Sequence, residues 1–594
     1  MAALFTTPKR NDTTAGTHVV EPDVHRRTLL AHGSWRRVTR RIVVGAVCAL
    51  TVSSLLMPSV SLAAEWVKVG GNKYNTAASD EAGTWSWDGA DDLKLNNYNG
   101  GEIQAAGKLN VNYSGTNIVT AEWIESINVS HGTNENAELN IQGDEGGTLS
   151  VTSTEDAILS TGNINIDGAG TVNATSTGFD AIDAKGDLTI KGSGNVNATG
   201  DSDGIRAGGN ITIDNSGTVT AKAFEEKGIQ ANESLTIKGG GKVEASSIGK
   251  AAIWADGGIT ISGGSQVKAS SQEDLAVNAE GSLTVTNASL NASGVEYGAY
   301  GLKGVTLDHA TVTVRAGKGR YGGAIALFTY QDDIVVKNGS TVDAFAEGEV
   351  SAAFSTRNDR PNEEGGHIYI SDSVVKAIAR YVENGDSPIP YSENQDGETS
   401  PEPQGENIGI IAQTSEGVTP AVISIIRSKV TAEGDTAAIF ARATSADGKT
   451  IGTIKIENAA IQTPEGGKVI DYRKLHDGIY EAGQAIGTGD ATVDSLYIKA
   501  VAKSTTTAPP EVAKPEDPKP DETKPAESKP AESKQNPKPE GSKPTKAVAA
   551  STTKAKTTGV LAATGDTSGA AIVATALAGT AAIAAGTMVS RKRS

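Results

Sequence analysis

Asp156, Asp180 and Asp203 are separated by 24 and 23 residues, and each stands two places before an isoleucine: Ile158, Ile182 and Ile205. A chain that returns to the same place every 24 residues or so would stack these carboxylates in a column with a step of about 4.8 Å. Carboxylates that close repel one another unless they are protonated or neutralised. Calcium suits such a column, because it takes several oxygen ligands in irregular geometry. Glu155, Asp183, Asp201 and turn carbonyls offer further oxygens. The competing expectation is that aspartate simply favours turns and stays solvated. Lys227 and Ala251 hold the place in the next repeats, so the acidic column is local.

No catalytic set stands beside it. Beyond residue 63 the histidines are His131, His309, His367 and His476, with no repeated spacing. The single cysteine, Cys48, lies in an N-terminal export segment, and no Gly-x-Ser-x-Gly elbow is present. Asp and Glu are abundant, but no spacing marks the carboxylate pair of a glycosidase or lyase. The expectation is therefore binding without catalysis, with a surface polysaccharide lyase or hydrolase as an alternative. Trp66, Trp85, Trp87 and Trp123 cluster near the start of the mature chain. They suit a cap over an exposed core end, or stacking on sugar rings.

The elements that must hold these residues are read from a repeat. Residues 180–198 (DAIDAKGDLTIKGSGNVNA), 203–221 (DGIRAGGNITIDNSGTVTA) and 227–245 (KGIQANESLTIKGGGKVEA) share one frame. Its leading apolar positions, Ile158, Ile182, Ile205, Ile229, Ile253 and Val277, are spaced by 24, 23, 24, 24 and 24 residues. Apolar-x-apolar pairs follow, such as Ile164/Ile166, Leu188/Ile190 and Ile211/Ile213, with weaker copies as far as Ile454/Ile456. Alternation with Thr, Asn, Lys and Asp is the period of strands with one buried face. One repeat is too small to bury anything alone, so coils must stack. The fold class read here is all-β, a parallel, right-handed β-helix with one coil of about 24 residues per repeat. A propeller needs about 40 residues per blade, and immunoglobulin-like domains need a longer period.

The frame Asp-Gly-Ile-x-Ala-x-Gly-x-Ile-Thr-Ile (from Asp203), with its Gly turn and Val-x-Ala strand, resembles a bacterial family of carbohydrate-binding parallel β-helix domains related in shape to pectate lyases. The resemblance covers residues 150–290 well and 90–480 loosely. It implies calcium-assisted binding of acidic polysaccharide without cleavage.

The two ends carry addresses. A basic segment, an apolar run from Ile42 to Leu62 and the small residues Ser61-Leu62-Ala63 read as a signal peptide cleaved after Ala63. At the other end stand Leu561-Ala562-Ala563-Thr564-Gly565, an uncharged apolar run and Arg591-Lys592-Arg593. This order resembles the cell-wall sorting signal of sortase substrates. It implies attack on the Thr564 carbonyl by a sortase cysteine and transfer to a peptidoglycan precursor. Lys-Pro punctuation between residues 503 and 546 reads as a disordered wall spacer. The expected organisation is a signal peptide over 1–63, an N-terminal cap over 64–90 and the β-helix over 91–500, with a looped insertion at 378–408. The spacer over 503–556 follows, and then the sorting signal with its membrane helix over 561–594. The whole chain has a formal charge of −18. Such a surface repels nucleic acid and attracts divalent cations. The reading is a secreted protein anchored to a Gram-positive wall that recognises polysaccharide or a host glycan. The alternative to a glycan is an adhesive stalk that binds protein.

Overall fold

The computed structural model describes residues 63–507, apart from 123–124, 133–136, 318–322, 362, 383–405, 477–478 and 489–502. The residues before Ala63, expected as an export signal, Trp123, the prolines of the insertion and the residues after Thr507, with the expected sorting motif, lie outside the described residues. Every regular element among the described residues is a strand, and these form a parallel β-helix. Each full coil gives one strand to each of three sheets. The sheets are named here in the order a repeat visits them: the first holds Ile158–Ser160, the second Asn163–Gly168, the third Thr171–Ser176.

Register follows the repeat. In the first sheet Ile158 pairs with Ile182, then Ile205, Ile229, Ile253 and Val277 follow, one per coil. All six are fully buried. Ile164, Leu188, Ile211, Leu235, Ile259 and Leu283 form the inward column of the second sheet. Val172, Val196, Val219, Val243 and Val267 form that of the third. Each buried aliphatic side chain contributes about 1.5–3 kcal/mol. A single coil leaves its columns open at both ends, so this stabilisation accrues only as coils stack. Outward positions on the flanks carry amide ladders: Asn140 donates to Asn110 at 2.9 Å and Asn165 to Asn140 at 2.8 Å.

The turn after the second-sheet strand needs a left-handed residue. Gly168 and Gly192 fill it at φ of 100° and 96°. A Cβ at Gly192 would meet the Gly168 carbonyl oxygen 2.5 Å away. Asn287, His309, Asn338, Asp372, Arg427 and Asn458 take over the left-handed turn in later coils, with φ between 46° and 56°. His309 is thus a turn residue, its ring held by Asp308 at 2.7 Å.

Both ends are closed by antiparallel strands, which shield the otherwise open parallel edges. At the start, Trp66–Val69 pairs antiparallel with Asn72–Tyr74 and Ile103–Ala106, and Trp85–Trp87 with Asp92–Asn96. Trp85 and Trp87 are buried there. At the far end the last parallel pairing joins Val422–Ile426 to Thr453–Glu457. The hairpin Lys468–His476 and Ile479–Gly487 then lies antiparallel on Ala437–Ser445.

Three boundaries differ from the sequence reading. Parallel coils stop at Glu457 rather than near 500, because the hairpin reverses direction. Lys503–Thr507 is not spacer: it pairs antiparallel with Lys429–Gly434 and Ala460–Thr463, since three consecutive threonines suit a strand. The insertion is shorter than 378–408, because Val374–Tyr381 and Asn407–Thr414 are strands of the solenoid.

Candidate functional site

The aspartate column exists, and it does structural work. Asp156 Oδ1 accepts the backbone N–H of Asp180 at 3.0 Å. Asp180 Oδ1 accepts that of Asp203 at 2.8 Å, and Asp203 Oδ1 that of Lys227 at 2.7 Å. Each carboxylate therefore satisfies an amide of the following coil. A parallel ladder at another corner shows what this role requires. There Asn163 accepts from Asp187 N–H (2.9 Å), Asp187 from Asn210 N–H (2.7 Å) and Asn210 from Ser234 N–H (3.1 Å). Asparagine and aspartate serve alike in that second ladder. Hydrogen bonding alone thus gives no reason for three consecutive aspartates in the first, and their charge must be met some other way.

Part of it is met by cations from the next strands. Asp180 and Asp203 are buried. Burial pushes the Asp203 carboxyl up to about 7, with the neighbouring Asp180 charge adding to the effect. Burial likewise raises Asp156 to about 6, against the lowering effect of the Asp180 amide. The Arg206 guanidinium lies 3.6 Å from Asp180 Oδ2. Despite its partial desolvation, its pKa is held above the ordinary value by Asp183, Asp180 and Asp203. Asp183 is 1 % exposed; its Oδ2 pairs with Lys185, while its Oδ1 is buried with no hydrogen-bond partner.

Carboxylate oxygens of Asp156, Asp180 and Asp183 lie within 4.8 Å of one another. Asp183 thus takes the place that the repeat spacing assigned to Asp203, whose carboxylate stands apart from this compact group. Glu155 and Asp201 do not join it. An orphaned, buried carboxylate oxygen beside two further carboxylates fits a hard divalent cation, and four carboxylates against Lys185 and Arg206 leave residual negative charge for one to neutralise. Asp88, Asp91 and Asp92 form another acidic group, unnoticed in the sequence. Asp88 Oδ1 accepts Ala90 N–H (2.8 Å) and Asp92 N–H (3.1 Å), so this is a turn in the cap.

Asp183 also belongs to a line of outward side chains along the first sheet, following Asn128 and Leu159. It pairs in register with Arg206, and Gln230, Trp254, Asn278 and Tyr300 follow, one per coil. Several are steadied by the residue two places on: Gln230 Nε2 donates to Asn232 (3.0 Å), Trp254 Nε1 to Asp256 (2.7 Å) and Asn278 Nδ2 to Glu280 (2.9 Å). Asp183 and Asn278 are buried in it, while Arg206, Gln230, Trp254 and Tyr300 are partly exposed and present a guanidinium, an amide, an indole and a phenol in sequence. Spacing could have found it, because each lies one residue after a leading apolar position; its mixed chemistry hid it.

Beyond Val277–Ala279 the same sheet widens. Its strands hold three residues there, then five (Tyr297–Gly301), seven (Gly323–Thr329) and nine (Val350–Asn358). The outward face becomes aromatic: Tyr297, Tyr300 and Phe328 lie with ring centroids 5.3–6.0 Å apart and planes within 28°.

Residues 177–296 match the model of a family described as "Carbohydrate-binding domain-containing protein". This stretch is similar to a carbohydrate-binding domain. It contains Asp180, Asp183, Asp203, Arg206, Gln230, Trp254 and Asn278, and so most of the outward row. No curated protein and no solved structure matches the chain.

Proposed function

We propose that this chain is a glycan-binding surface protein that lays an acidic polysaccharide along the outward row from Asp183 to Tyr300. The observation that carries the reading is the register of that row within the segment similar to carbohydrate-binding domains. Arg206 supplies a charge-assisted donor for a sugar carboxylate. Gln230 offers an amide group to hydroxyls, and the Trp254 indole offers an apolar face to a pyranose ring. Calcium held by Asp156, Asp180 and Asp183 would join the acidic protein to a ligand of like charge.

Cleavage has one observation in its favour, an arginine beside a carboxylate cluster. The same carboxylates keep Arg206 protonated, however, so it binds an anion rather than accepting a proton. Recognition without cleavage is the better reading.

The remaining parts of the proposal rest on the ends of the sequence. The segment around Ala63 would direct export, and Leu561 to Gly565 would fasten the product to the wall through Thr564, with sortase and a peptidoglycan precursor as partners. A glycan array probed with the secreted chain, in calcium and in chelator, tests the binding. Signals on acidic glycans that fall in chelator support it; binding to protein alone would favour an adhesive stalk, and unsaturated or reducing-end products a lyase or hydrolase. Replacing Thr564 with Ala tests the anchoring, since the variant at normal level in purified peptidoglycan would refute it.

A further inference from the structure

The outer face of the third sheet departs from the charge of the chain as a whole. From Thr148–Ser153 to Ser289–Gly294 its strands bury one side chain and turn the next outward. The outward ones are hydroxyls and amides, apart from Lys222, Lys242, Glu244 and Lys268. These four are neighbours. Glu244 pairs in register with Lys268 on the following coil and with Thr220 on the preceding one. Lys222, two places after Thr220, is its diagonal neighbour, within reach of a long side chain. Lys242 stands two places before Glu244 on the same strand face, its ammonium 2.6 Å from Glu244 Oε1. That contact holds the Glu244 carboxyl below its ordinary range, and Lys268 and Lys222 add to the effect. Lys222 and Lys268 are exposed and make no ion pair among the described residues.

Three ammonium groups against one carboxylate leave local positive charge on a chain whose formal charge is −18. Glu225 and Glu226 lie past the strand end, the latter matched by Lys227 at 2.6 Å. Salt screens charges beyond about 8 Å at physiological strength, so a ligand on this face meets the lysines rather than the acidic remainder. The complement is a polyanion, and its chemistry follows from the donors. An ammonium is a point charge without the planar fork that fits a carboxylate, unlike Arg206 of the first sheet. A tetrahedral sulfate ester, with acceptor oxygens on several sides, suits it. The flanking hydroxyl and amide rows offer partners to sugar hydroxyls. Single-stranded nucleic acid needs aromatic platforms, and the outward residues of these strands include none.

We propose that the third-sheet face around Lys222, Lys242 and Lys268 binds a sulfated polysaccharide, laid across three successive coils with its sulfate esters on the lysines. Glu244 sets the strength of the face, because it occupies Lys242 that a sulfate would otherwise take. The first-sheet row lies on another face of the coil, and this proposal does not rest on what that row binds.

The test is titration calorimetry of the full chain with a heparin oligosaccharide and with the same oligosaccharide stripped of sulfate. Chelator is present throughout, so that no metal bridges the ligand to the aspartate group. Wild type is expected to bind the sulfated probe alone, and less tightly as salt rises. Lys222→Ala and Lys268→Ala are each expected to weaken it about fivefold, the scale of one lysine against an anionic surface. Glu244→Gln is expected to strengthen it several-fold, a gain that a merely structural role for Glu244 would not give. Trp254→Ala, on the first sheet, is expected to stay within about twofold. These positions are exposed or half-exposed, and each single variant reads the face by itself. No binding of the sulfated probe by wild type, equal binding of the stripped probe, or affinity unchanged in both lysine variants would overturn the proposal. So would self-association of the chain that the lysine variants abolish without any heparin binding, since the face would then belong to a second copy. None of these results bears on trigalacturonate binding in calcium, which tests the first-sheet row separately.

Discussion

The Asp180 carboxylate accepts the backbone N–H of Asp203, 23 residues later, at 2.8 Å, and the Asp203 carboxylate then accepts the N–H of Lys227. One side chain thus fixes the height of the next coil while leaving its second oxygen for other partners. In this way the column combines a structural ladder with an excess of negative charge.

Asparagine can replace aspartate in the ladder but not in the charge. Asp180→Asn is therefore expected to fold normally and to bind calcium more weakly than wild type, while Glu244→Gln, away from the group, leaves calcium binding unchanged. Thermal unfolding with calcium and with chelator reads both effects, because a ligand bound only by the folded state stabilises it. Equal calcium stabilisation in wild type and Asp180→Asn would place the ion elsewhere.

The Asp203 carboxyl gives a pH dependence of definite sign. Its pKa is raised on folding to about 7 by burial. The folded state therefore binds this proton more tightly than the unfolded chain, and the associated stability is complete below about pH 4 and lost as pH rises through 7. In chelator, the wild-type chain is expected to unfold at a lower temperature at pH 8 than at pH 5. Asp203→Asn retains the acceptor for Lys227 and is expected to show a smaller difference; an unchanged difference would assign the effect to other groups.

Ile229 and Gln230 are neighbours that face opposite ways. Ile229 is fully buried in the inward column, and Gln230 stands in the outward row. Ile229→Asp is expected to cost about 3–5 kcal/mol, the scale of an unpaired buried charge. Gln230→Ala is expected to stay within about 0.5 kcal/mol. Chemical denaturation compares them directly, and similar losses would mean that the register is wrong.

The inward columns were legible because their signal repeats: Ile158, Ile182, Ile205 and Ile229 announce themselves by spacing alone. The turn glycines and the aspartate ladder were legible for the same reason. The role of Asp183 was not, because its partner Arg206 belongs to the next coil and the pairing depends on which strand face is outward. Lys503–Thr507 was misassigned because it adjoins Lys-Pro-rich sequence, and only its place beside Lys429–Gly434 shows its capping role.

Trp254 offers the most direct test of the glycan-binding reading, since it lies mid-row, outside the buried core and outside the acidic group. The measurement is the affinity of the full chain for trigalacturonate in calcium, compared with Trp254→Ala. Wild type is expected to bind, and the variant to lose about tenfold in affinity, the scale of a stacked aromatic contact, with the unfolding temperature unchanged. No binding by wild type, or equal affinity in the two proteins, would contradict it.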